Sequence, residues 1–120
     1  MKYTYIILLV LIVSCTSATE DDLLEAQPID EEPELVLFSD IEPIIMDRCQ
    51  NCHSNPPQNG APMPLVLPED VQDAILNRGL INRISRSNGE AGLMPQGGPR
   101  LPQNDIDLII KWQEDGFLSE

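Results

Sequence analysis

The run Ile41-Glu42-Pro43-Ile44-Ile45-Met46-Asp47-Arg48-Cys49-Gln50-Asn51-Cys52-His53 decides how this chain is read. It begins with isoleucines at helical spacing. It ends in two cysteines two residues apart, with a histidine directly after the second. His53 is the only histidine of the chain, and Cys15 is its only other cysteine. Two thiols and an imidazole on one turn form a compact set of soft and borderline donors.

Four chemistries use such a set. Cys49-Gln50-Asn51-Cys52-His53 has the C-x-x-C-H spacing of a haem c attachment site. There the thiols add across the two vinyl groups of the haem and form thioethers. A two-residue gap on a helical turn sets both sulfurs along one haem edge. The following histidine then lies under the iron as its proximal ligand. A thioredoxin-like redox pair calls for a βαβ setting, and no such pattern is present. Zinc wants four Cys or His ligands, and Cys49, Cys52 and His53 supply three unless a carboxylate or a second chain completes the set. A structural disulfide between Cys49 and Cys52 closes a tiny loop and stabilises little. Haem attachment is the reading that agrees with the rest of the chain.

The N-terminus sets the compartment. Lys2 precedes an apolar run from Tyr5 to Val13, too short for the ~20 residues of a membrane span. A basic start, a short apolar stretch and small residues make a secretory signal peptide. Ile12-Val13-Ser14-Cys15 resembles the lipobox of bacterial lipoproteins. The resemblance implies cleavage after residue 14 and lipidation of Cys15, giving a chain anchored to a bacterial membrane and facing the periplasm or the cell surface. Several acyl chains on one residue anchor stably, whereas one does not.

Charge divides the rest. Seven Lys and Arg face 20 Asp and Glu, a formal charge of −13, or −14 once Lys2 leaves with the signal. That balance argues against nucleic acid as a partner. Residues 15–37 carry eight of the acids, no basic residue and two prolines. Such a stretch cannot fold alone and reads as an acidic flexible tether. Its position after Cys15 weakly resembles surface-export signals of some lipoproteins. The domain expected over 38–120 keeps six basic residues against twelve acids. It is small and poor in aromatics, so a cofactor or another staple is expected to support its core.

Three helices are expected in this domain. The first begins near Ser39-Asp40-Ile41-Glu42, a capping-box pattern, with Pro43 tolerated only in the first turn, and leads into Cys49. The second spans about Glu69 to Arg78, after Pro68 and before Gly79. The third spans about Asn104 to Glu114, capped by Asn104 and ended by Gly116. It shows one stripe of Ile106, Ile109 and Ile110 and a second of Leu108 and Trp112. Asn55–Pro68 and Ser87–Pro102 are rich in Pro and Gly and read as long loops, which in a small domain usually serve a ligand. The fold class is all-α.

A haem used for electron transfer often takes a methionine sulfur opposite the histidine. Met1 leaves with the signal peptide, and Met46 lies on the Cys49 helix itself. Met63 follows His53 by ten residues and Met94 by forty-one. The longer span leaves room to pass round the haem, and Met94 sits in Gly92-Leu93-Met94-Pro95-Gln96-Gly97-Gly98. Met94 is therefore the preferred sixth ligand, with Met63 as the rival.

Together, the helix ending in C-x-x-C-H, the Met-Pro in a Gly-rich loop and the closing helix Ile106-x-x-Ile109-Ile110-x-Trp112-x-x-x-Gly116 resemble a small class I cytochrome c domain. The resemblance covers residues 38–120. It implies a cytochrome c-like fold of three or more short helices and long Gly/Pro loops wrapped around one covalent haem c. The first and last helices would cross, bringing Ile44 or Ile45 to Ile109, Ile110 or Trp112. A carbonyl from the loop holding Pro56, Pro57 and Pro64 would hold the His53 ring. The first helix departs from the pattern, having no Gly or aromatic at the crossing.

The implied function is a membrane-tethered one-electron carrier with His53 and Met94 as axial ligands, not an enzyme. Redox partners would dock through a basic patch. Arg78, Arg83, Arg86 and Arg100 are candidates to meet the haem propionates, although for each one solvated surface is the simpler reading. Two alternatives stay open. One is a haem enzyme or gas- or peroxide-reacting site with an open distal position. The other is a fixed haem subunit of a larger respiratory complex.

Overall fold

The computed structural model describes residues 34–120. The expected signal peptide, Cys15 and nearly all of the tether lie outside them. The described residues are helical and form no strand, so the all-α class holds. Four helices follow one another: α1 (Phe38–Arg48), α2 (Pro68–Arg78), α3 (Leu80–Ile84) and α4 (Gln103–Glu114). None is long and apolar enough to cross a membrane.

Helix α1 starts at Phe38, one residue before the expected Ser39. The side chain of Asp40 accepts the Leu37 N–H at 2.8 Å, which satisfies one of the free donors at this end. Pro43 falls in the second turn, not the first. Its missing N–H leaves the carbonyl of Ser39 without a helical partner, and Ser39 is exposed, so water can take that role. Ile41 and Ile45 are buried, while Ile44 is only half-buried against the core.

The expected absence of an aromatic from the first helix is corrected here. Phe38 belongs to α1 and packs on Trp112 of α4, with ring centroids 5.5 Å apart. Phe117 also meets Trp112, edge-on, at 5.0 Å. Such tilted and edge-on pairs suit the charge distribution of the rings. The indole N–H of Trp112 donates to the Leu118 carbonyl at 2.8 Å, so this large side chain is fully buried without an orphaned donor. On α4 the buried stripe is Ile106, Ile109 and Trp112, with Ile110 and Leu108 half-buried beside it. Trp112 thus joins the first expected stripe, not the second. Helix α4 begins at Gln103 after Pro102, so Asn104 is inside it and not its cap.

The two chain ends of this body are tied together. Phe38 donates its N–H to the Leu118 carbonyl at 2.8 Å. Asp115 accepts the Val36 N–H at 2.8 Å and the Lys111 ammonium, also at 2.8 Å. Val36 is buried in the core. The folded body therefore takes in Val36 and Leu37, which the sequence assigns to the tether.

Gly79 ends α2 in the left-handed conformation, φ 68°, and at the same point starts α3. An L-residue there is strained, which explains both the glycine and the sharp change of direction. The five residues of α3 were not anticipated; Leu80 and Ile84 bury their side chains in the core.

Candidate haem-attachment site

Helix α1 delivers Cys49 as its last-turn neighbour, and the carbonyl of Cys49 then accepts two N–H groups, from Cys52 at 3.1 Å and His53 at 2.9 Å. The C-x-x-C-H run is thus a tight turn continuing from the helix. The Pro-rich loop that follows is strapped to it. Leu65 donates to the His53 carbonyl at 2.8 Å and Gln58 to that of Cys52 at 2.7 Å. Gln50 donates its amide to the Leu65 carbonyl at 3.1 Å.

The imidazole is held by the same loop. His53 Nδ1 lies 2.8 Å from the carbonyl oxygen of Met63. A carbonyl only accepts, so Nδ1 carries the proton and Nε2 keeps its lone pair for a metal or another donor. The residue holding the ring was left open by the sequence, and its identity is unexpected. Met63, the rival sixth ligand, serves through its main chain.

Cys49, Cys52, His53 and Met94 line one cavity of about 550 Å³. That volume lies within the range of small-molecule and cofactor pockets. Met63, Leu65, Leu80 and Ile84 add apolar wall. Met46 takes no part and is 56% exposed. The structure therefore brings together four of the five expected site residues; the fifth, Cys15, is outside the described residues.

The arginines sort differently from expectation. Arg78 and Arg83 line the cavity, and so does Arg48, which is not among the four arginines expected there. Arg86 and Arg100 do not line it. Arg100 donates to the carbonyls of Ser85 and Leu101 and to Gln103. Arg78 is also paired with Asp73 at 2.6 Å. Among the described residues, no Asp or Glu lines the cavity. Its wall is therefore basic within a domain where acids outnumber bases. The position of Arg48, immediately before Cys49, was the signal that could have found it.

The thiols Cys49 and Cys52 are free. Burial pushes the Cys49 thiol up to about 11, against a smaller opposing pull from the Arg48 guanidinium. Among the described residues, no three His, Cys, Asp or Glu converge as a metal site. A zinc reading of Cys49, Cys52 and His53 therefore lacks a converging donor set. No known protein family, curated protein or solved structure matches the chain.

The donor set suits haem c on its chemistry. Two thiols stand at the required spacing, the histidine is held at Nδ1, and a thioether shares the cavity from a distant loop. The basic wall suits a ligand that carries carboxylates.

Proposed function

We propose that the domain is a one-electron carrier of cytochrome c type, exported and held at a bacterial membrane through lipid on Cys15. In this reading Cys49 and Cys52 hold one haem c by thioether bonds, and His53 and Met94 take the axial positions. The observation that carries the reading is the shared cavity: Cys49, Cys52 and His53 of the C-x-x-C-H turn and Met94, forty-one residues on from His53 in sequence, all line it. When bound, the group would supply an iron that exchanges single electrons.

The residues of the chain have separate tasks. The Met63 carbonyl holds the proton at His53 Nδ1 and fixes the ring, a support that raises ligand basicity. Leu65, Leu80 and Ile84 keep water from the wall. Arg48, Arg78 and Arg83 offer charge to the two propionates. The acids among the described residues, none of them on the cavity wall, leave an outer surface suited to a redox partner with a basic patch. A lipid tether would raise the local concentration of the carrier near membrane partners.

A redox titration followed by absorbance tests this directly. Protein made in a host with cytochrome c maturation should show one reversible transition with the slope of a one-electron couple, about 59 mV per tenfold change. A high-spin spectrum that shifts on adding cyanide would refute the carrier reading and favour an open-site haem enzyme.

A further inference from the structure

We infer that Arg86 is the positioning residue for Met94: it clasps the loop that carries the sulfur to the end of α3. This rests on the reading of Met94 as an axial ligand. Two ties join the loop to α3. The Met94 N–H donates to the Arg83 carbonyl at 3.2 Å. Three residues upstream, the carbonyl of Ala91 accepts from Nη1 of Arg86. The same guanidinium is fixed from behind, because Nη2 and Nε donate to Asn82 Oδ1 at 2.9 and 3.3 Å. One planar group therefore bridges a helix side chain and the loop backbone. Its fork of donors matches that task in a way a lysine cannot.

Gly92 sits between the two ties with φ +83°. A Cβ at this position would run into the Arg86 guanidinium and reach 3.7 Å from Nη1 of Arg83. The left-handed φ favours glycine here, and a Cβ would push the Arg86 guanidinium aside. Leu93, next in line, is buried. The loop is consequently fixed on both sides of Gly92 before the chain reaches Met94. Arg86 itself does not line the cavity, so it acts through the loop. An uncharged thioether binds weakly, and its hold on a metal depends on being kept in place by the chain.

The test uses the full chain in three variants: Arg86→Met, Arg86→Lys and Gly92→Ala. Amide hydrogen exchange at Met94 reads the clasp whether or not haem is attached. The far-red band of an iron–methionine bond and carbon monoxide uptake by the reduced protein read its consequence. In Arg86→Met the Met94 amide should exchange about tenfold faster or more, with Ile109 on α4 unchanged. The far-red band should weaken and carbon monoxide should bind more readily. Arg86→Lys should recover part of both, since one ammonium reaches Ala91 or Asn82 but not both. Gly92→Ala should reproduce the loss with Arg86 present, and it decides the matter if Arg86→Met also loses protection at Ile109. Wild-type exchange and a wild-type band in Arg86→Met and Gly92→Ala would overturn the inference. A chain that carries no haem would end the haem reading, while the exchange result would still decide whether the clasp exists.

Discussion

The carbonyl oxygen of Met63 lies 2.8 Å from Nδ1 of His53, and Met94 lines the cavity that His53 also lines. Met63 lines that cavity as well, so the two methionines that compete as ligands in the sequence differ in that Met63 also gives its carbonyl to the ring. Met63 contributes main chain to the ring, a contact that any side chain at that position would preserve. On the proposed reading the sulfur that binds is that of Met94. Met63→Leu should accordingly keep the far-red iron–methionine band of the oxidised protein, and Met94→Leu should abolish it. The opposite pattern would make Met63 the ligand.

Trp112 anchors the core. It is fully buried, packs on both Phe38 and Phe117 and donates to the Leu118 carbonyl. Trp112→Ala should destabilise the fold by about 3–5 kcal/mol, the cost of removing a large buried aromatic. Against a typical stability of about 5–15 kcal/mol, that is a large share. Trp112→Phe keeps part of the packing and should cost less. Denaturant unfolding of the full chain measures both.

Asp115 makes stability depend on acid. The Lys111 ammonium, then the Val36 N–H, hold its carboxyl below the ordinary value of 3.8. The folded form thus binds its proton less readily than the unfolded chain does. The contribution is present above pH 3.8 and is lost as pH falls through the lower folded value. Asp115→Asn should flatten the melting temperature between pH 5 and pH 3 relative to wild type, most visibly at low salt. An unchanged slope would show that the Lys111 ammonium and the Val36 N–H do not hold this carboxyl down in the folded form.

Gly79 joins two helices at φ 68°. Gly79→Ala should cost about 1–2 kcal/mol, because a Cβ crowds the left-handed conformation. The space around Gly79 is open, so the loss should come from the backbone alone. Gly79→Asn should cost less, as asparagine tolerates this region.

Much of this was legible in sequence because local rules and tertiary packing agree. The stretch before Cys49, the Pro68 and Gly79 punctuation and the Ile106–Ile109 spacing each gave a helix that the structure contains. What the sequence missed depends on neighbours distant in the chain. Phe38 reads as the residue ahead of the first helix until Trp112, far along the chain, is beside it. Val36 reads as tether until Asp115 accepts its N–H. Helix α3 is too short for any periodicity, and Gly79, read as a stop, is also a start. At the site, C-x-x-C-H and Met94 were visible as motifs. The Met63 carbonyl was not, because a main-chain acceptor leaves no trace in residue type. The sorting of the arginines was equally hidden: which guanidinium reaches a cavity depends on how the loops fold back.

The central claim is covalent haem at Cys49 and Cys52. The most direct measurement is the intact mass of the full chain under denaturing conditions, after production in a host with cytochrome c maturation. The account predicts a mass increased by one haem that acid and organic solvent do not remove, with Cys49→Ala/Cys52→Ala giving bare polypeptide. A wild-type chain that also runs at the mass of bare polypeptide would contradict it.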